Sequence, residues 1–179
     1  MNKKRLWACF AVAGLCILGG CSEESVYTLS KDEVKIKVHE TEFDPLDYLL
    51  KDGEPLDEGD RAKIKTGAKI DTNTVGKTVF TFPEYGLSLH VTIYDDEAPT
   101  LSIVGFQVKR GVVFTWNEES LNKLKPQISD NYDSGDLLKK SLHCDSVDTN
   151  QLGKQTITCY VEDSSGNKTS KSVEMEVVE

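Results

Sequence analysis

The chain has 179 residues, a formal net charge of −9 and an isoelectric point near 4.9. An excess of acid over base repels phosphate backbones and anionic lipid, which argues against a nucleic-acid partner and against a basic patch as a membrane anchor. The length leaves room for one medium domain or two small ones.

The first element is a leader. Lys3, Lys4 and Arg5 precede an apolar run from Leu6 to Leu18. That run is shorter than the roughly 18–20 apolar residues of a membrane span, and with its cationic start it reads as a secretory signal. Its ending, Leu18-Gly19-Gly20-Cys21, resembles the lipobox of bacterial lipoproteins, although Gly19 stands where Ala or Ser is common. The resemblance implies a diacylglyceryl group on the Cys21 sulfur and cleavage just before it. Residues 1–20 are then the signal peptide and residues 21–25 a polar tether. The expected address is the extracytoplasmic face of a bacterial membrane, held by lipid.

The remainder contains a repeat. Asp57-Glu58-Gly59-Asp60 matches Asp133-Ser134-Gly135-Asp136, an offset of 76 from Asp57 to Asp133. Ile70-Asp71-Thr72-Asn73-Thr74-Val75-Gly76-Lys77 matches Val147-Asp148-Thr149-Asn150-Gln151-Leu152-Gly153-Lys154, an offset of 77 from Asp71 to Asp148. Two matches in the same order argue for a duplicated module. They divide the chain into 26–96 and 97–179, joined by the charged hinge Tyr94-Asp95-Asp96-Glu97-Ala98-Pro99.

Both segments read as β. In the first, Val34, Ile36 and Val38 alternate with lysines, and Leu87, Leu89, Val91 and Ile93 with polar residues. In the second, Val173, Met175 and Val177 alternate with glutamates. Val112–Trp116 and Thr156–Val161 are rich in β-branched and aromatic residues. Glu84-Tyr85-Gly86 and Ser164-Ser165-Gly166-Asn167 predict hairpin turns. One short helix is expected in each segment, Leu46–Leu50 opened by Asp44-Pro45 and Glu118–Leu124 capped by Asn117. Short strands at this spacing predict a β-sandwich.

A family likeness enters with the second segment. Asp130-Asn131-Tyr132-Asp133-Ser134-Gly135-Asp136, then Val147-Asp148-Thr149, Leu152-Gly153, Thr156–Val161 and Asp163-Ser164-Ser165-Gly166-Asn167 resemble the bacterial immunoglobulin-like, hyalin-repeat-like modules of surface proteins. Asp95-Asp96-Glu97-Ala98-Pro99 is similar to the usual start of such a module. The first segment diverges, carrying Phe82-Pro83-Glu84-Tyr85-Gly86 in place of the Asp-Ser-Ser-Gly-Asn turn, and joins through the internal repeat. The resemblance implies an all-β chain of two tandem immunoglobulin-like sandwiches. It names no ligand, because such folds host many functions.

The residues offer little for catalysis. His39, His90 and His143 lack partners at zinc-site spacing, and no nucleophile elbow or phosphate-cradling loop occurs. His39 and His90 fall on the polar phase of alternating strands, facing solvent. Calcium is the one metal the sequence suggests. Asp95 and Asp96 at the junction, with Asp130, Asp133 and Asp136 around Gly135, supply carboxylates on bent loops, as Asp-rich cadherin-type junctions do. The plainer reading, in which Asp130 and Asp136 only accept N–H bonds within their turns, is preferred. Phe106, Phe114, Trp116 and Tyr132 offer an adhesive patch, with Phe114 and Trp116 better placed as core.

Cys144 and Cys159 remain once the leader leaves and Cys21 is acylated, an even pair in a secreted chain that predicts a disulfide. At the repeat offset their counterparts are Gly67 and Phe82, a large side chain beside a vanishing one. That swap fits positions in contact, across neighbouring strands or between facing sheets. The expected function is non-catalytic: a surface lipoprotein acting as a spacer or as a binding or adhesion module for a protein or carbohydrate ligand. The alternative is a ligand-capturing or accessory lipoprotein serving an envelope transporter or enzyme.

Overall fold

Period-two alternation decides the longest elements of the computed structural model, which describes residues 25–66 and 68–179. In the first half the strands are β1 (Tyr27–Leu29), β2 (Glu33–Lys37), β3 (Leu49–Lys51), β4 (Glu54–Pro55), β5 (Gly76–Phe82) and β6 (Leu87–Tyr94). Helix α1 (Glu58–Arg61) lies between β4 and β5. The second half holds β7 (Thr100–Ser102), β8 (Gln107–Lys109), α2 (Glu118–Lys123), β9 (Gln127–Ser129), α3 (Gly135–Lys140), β10 (His143–Cys144), β11 (Gly153–Glu162) and β12 (Lys168–Val178). The described chain is all-β in class, with few and short helices.

One pairing plan occurs twice. β1 pairs antiparallel with β3, as β7 does with β9. β2 runs parallel to β6, and β8 runs parallel to β12. β6 forms an antiparallel hairpin with β5, and β12 with β11. The alternation puts Leu89, Val91 and Ile93 of β6 inward, buried against Val34 and Ile36 of β2, Phe80 and Phe82 of β5, and Leu49 of the other sheet. A second cluster gathers Val108, Leu124, Ile157, Cys159 and Met175, with Leu101 and Ile128 of the β7–β9 pair against it. Each core therefore lies between its own two sheets. Phe82, Leu49 and Leu89 are completely buried, each contributing about 1.5–3 kcal/mol by removal from water.

The repeat is more regular in the structure than in the sequence. Asp57 caps α1 by accepting from Asp60 N and Ser134 caps α3 by accepting from Leu137 N, and these caps stand 77 residues apart, as do Asp71 and Asp148. The offset of 76 drawn from the Asp-Gly-Asp match aligns residues one position out of register. Asp71 Oδ1 accepts from Asn73 N, and Asp148 Oδ1 from Asn150 N, both at 3.0 Å. Both stretches are thus Asx turns that lead into Gly76 and Gly153, the first residues of β5 and β11.

Three expectations need correction. Val112–Trp116 is not a strand. The segment follows a turn at Gly111 and finds no ladder partner; Thr149 Oγ1 donates to the Val112 carbonyl at 2.8 Å and Trp116 Nε1 to the Asp145 carbonyl at 2.7 Å. β-branched composition without a neighbouring strand leaves Val113 96% exposed. Leu46–Leu50 is not one helix: a 3-10 turn covers Pro45–Tyr48, and Leu49 opens β3 because it pairs with Leu29 and is wholly buried. Finally, α1 and α3 are additional helices where the sequence suggested only Asp-rich turns. The Asn117 cap stands as expected, completed by reciprocal bonds with Ser120.

Cys144 and Cys159 are bonded, directly opposite one another on β10 and β11. Of the two geometries left open, the structure takes neighbouring strands of one sheet. Cys159 and its counterpart Phe82 are both fully buried. Gly67, Cys21 and the stretch expected to be a leader, residues 1–20, lie outside the described residues.

Candidate metal centre

The site is built from strand ends. Asp95 follows the last residue of β6, Asp130 the last of β9 and Asp163 the last of β11. β6 of the first half and β9 and β11 of the second finish close together, so three carboxylates meet where the chain passes from one half to the other. One oxygen from each lies within 4.8 Å of the others. Asp95 and Asp163 are only 7% and 8% exposed, and Asp130 is partly buried.

Each carboxylate is anchored by its own turn. Asp95 Oδ1 accepts from Glu97 N and from Asn131 Nδ2, both at 3.1 Å. Asp130 Oδ2 accepts from Tyr132 N at 3.0 Å and Asp133 N at 2.8 Å. Asp163 accepts from Ser165 N, Asn167 N and Asn167 Nδ2 at 2.8–2.9 Å. The turn-capping reading therefore holds for Asp130, but capping occupies a single oxygen. Asp95 Oδ2 and Asp130 Oδ1 are buried without any hydrogen-bond partner. At an effective dielectric near 20, two unit charges about 4.8 Å apart repel by roughly 3–4 kcal/mol. The N–H groups offset part of that cost, and the two unpartnered oxygens remain buried acceptors without a donor.

Of the residues singled out in the sequence, the structure brings together Asp95 and Asp130 and places the rest elsewhere. Asp96 turns outward to Lys37 at 3.0 Å. Asp133 receives the backbone N–H and hydroxyl of Ser164 at 2.6 and 3.0 Å, fastening α3's entry to the β11–β12 turn. Asp136 lies exposed in the first turn of α3. Asp163 is absent from the sequence-predicted ligands and enters there only as the first residue of the Asp-Ser-Ser-Gly-Asn stretch. The signal that finds it is positional: in all three cases Asp immediately follows a strand and precedes a turn.

Around the carboxylates the two halves interlock. Tyr132 packs against the first core, and Val75 N donates to its hydroxyl at 3.4 Å. Asn167 Nδ2 also reaches the Asp95 carbonyl at 3.3 Å. His39 is exposed, as expected, but it stands just beyond β2 and not within a strand, with φ 66°, and its ring bridges the halves. Its Nδ1 faces Asn73 Oδ1 at 2.9 Å and its Nε2 faces the Asn131 carbonyl at 3.0 Å. Asn73 donates its own amide to Asp71, which fixes Oδ1 toward His39. Both ring nitrogens thus meet acceptors, and only the imidazolium donates to both. The bond to Asn73 first, then that to Asn131, with the Asp95 charge adding, holds His39 above its ordinary pKa of 6.5. His90 and His143 take no part in this cluster. Phe106, Phe114 and Trp116 form an edge-to-face group against the second core, apart from Tyr132.

No protein-family model matches the chain, and no curated protein matches it. Among solved structures it is similar to the crystal structure of human mucin-like protocadherin EC1-2, at 12% identity over 85% of this chain and 98% of that one. The TM-score is 0.28, a superposition too loose to assign function.

Proposed function

We propose that the chain is a non-catalytic surface lipoprotein of two tandem immunoglobulin-like modules, a spacer or binding module projecting from the extracytoplasmic face of a bacterial membrane. The observation that carries it is the pairing plan executed twice, each time around its own core. Stacked units of this kind extend a chain and present loops at their ends. The motif Leu18-Gly19-Gly20-Cys21 supports the lipid anchor. Its partner is then a protein or carbohydrate at the cell surface.

The test is processing in a bacterial host. Wild-type protein should incorporate labelled acyl chains and partition into detergent. Cys21→Ala should accumulate as an uncut precursor without label. Normal cleavage and membrane association of Cys21→Ala would refute the anchor, and with it the projecting arrangement.

A further inference from the structure

We propose that Asp95, Asp130 and Asp163 bind one calcium-sized divalent cation, and that binding fixes the linker after β6 against the end of the second core. Two separate observations carry it. The first is convergence: one oxygen of each carboxylate lies within 4.8 Å of the others, in a setting where Asp95 and Asp163 are more than nine-tenths buried. The second is the orphaned atom. Asp95 Oδ2 and Asp130 Oδ1 are shut off from solvent and accept from no donor, while Asp95 Oδ1 accepts from Glu97 N and the Asn131 amide and Asp130 Oδ2 from two turn N–H groups. Turn capping alone requires one oxygen and gives no reason to bury the other beside two further carboxylates.

The donor set selects the ion. All donors are hard oxygens, with no thiol or imidazole among the three, which disfavours zinc and copper. Calcium accepts irregular sets of oxygens, including bidentate carboxylates, and completes its shell with water or carbonyls. Magnesium demands near-octahedral geometry and sheds water reluctantly, so it should bind more weakly here. Three carboxylates overcompensate a double charge and leave the filled site net negative. Asp95 belongs to the linker and the other two ligands to the second half. The mechanical consequence, a stiffened junction, rests on the two-module reading; the binding does not.

The experiment uses the full chain beginning at residue 21 with Cys21→Ser, stripped with chelator and titrated with calcium chloride or magnesium chloride alone. Affinity for an extracellular module is expected on the order of 10⁻⁴–10⁻³ M. Saturating calcium should raise the melting temperature by roughly 5 °C, and magnesium by less. In chelator, Asp95→Asn should melt at or above the wild-type temperature, because a repelling charge is gone, and it should lose the calcium shift. Asp136→Asn should keep the shift. Calcium should also slow proteolysis within 94–99. No calcium shift at about 10 mM would overturn the proposal, since sites of this kind saturate well below that. So would a chelator-treated Asp95→Asn that is destabilised yet still responds to calcium, because the carboxylate then only caps its turn. Stabilisation on acidification with no response to calcium would show a shared proton instead of a metal. Binding without protection of 94–99 would overturn the stiffening and retain the site.

Discussion

The two halves reach the same strand pairing with different fastenings, and the contrast separates what the plan requires from what each half adds. At one core position the first half places Phe82 and the second places Cys159, both wholly buried. The first fills the volume with an aromatic ring, the second with a cross-strand disulfide to Cys144. After β2 and β8 the chain turns with a left-handed residue: His39 in one half, with φ 66°, and Gly111 in the other, with φ 72°. In both, the N–H donates to the carbonyl of the repeated Asp-Thr-Asn threonine, Thr72 or Thr149, at 2.9 Å. Glycine adopts this conformation freely, whereas an L-residue is strained there. A histidine in that position makes sense through its ring, which joins the halves via Asn73 and Asn131.

Breaking the cores gives the largest expected effects. Phe82→Ala should destabilise the first half by about 3–5 kcal/mol, through lost burial and a cavity beneath Leu89 and Phe80. Removing the disulfide with Cys144→Ala and Cys159→Ala should cost about 3 kcal/mol for a sequence separation of 15. Denaturation followed by Tyr and Trp fluorescence should show the second effect on Trp116, which packs with the second core, and the first on the tyrosines of the first. If reducing agent shifts the first half as strongly as the second, the two cores are not separate.

The turn residues give a smaller effect with a pH signature. His39 has a raised pKa in the folded chain, so its contribution is fully present below 6.5 and fades as pH rises through the folded value. His39→Gly should therefore lower the melting temperature at pH 5.5 and approach or exceed wild type at pH 9, where backbone strain is relieved and little charge is lost. Asp71 behaves oppositely. Its pKa is lowered by the Asn73 N–H, then by Thr74 and the Asn73 amide, so its contribution is present above 3.8 and lost as pH falls through the folded value. A His39→Gly difference that is flat from pH 5.5 to pH 9 would remove the imidazolium from the junction.

The elements legible in the sequence were those with a local cause. β6 and β12 were readable because apolar residues alternate against polar ones over many positions. The Asn117 cap and the hairpin turns at Gly86 and Gly166 were readable because particular residue types serve those backbone shapes. Val112–Trp116 misled because β propensity expresses itself only against a neighbouring strand, and none is there. α1 and α3 are not legible in the sequence because four and six residues carry too little periodicity to separate a helix from a turn. At the candidate site, Asp95 and Asp130 could be named from acidic composition. Their union with Asp163 depends on which strand ends lie side by side, a property of topology that spacing along the chain does not reveal.

The most direct measurement is calorimetric unfolding of the fragment 97–179 beside the chain 21–179. Each half gathers its own buried cluster under one pairing plan. The fragment should then unfold cooperatively by itself, with a transition that moves down on reduction of Cys144–Cys159, somewhat below its position in the longer chain where Tyr132 and Asn131 keep their partners. A fragment with no cooperative transition, under conditions where the longer chain unfolds sharply, would contradict the account.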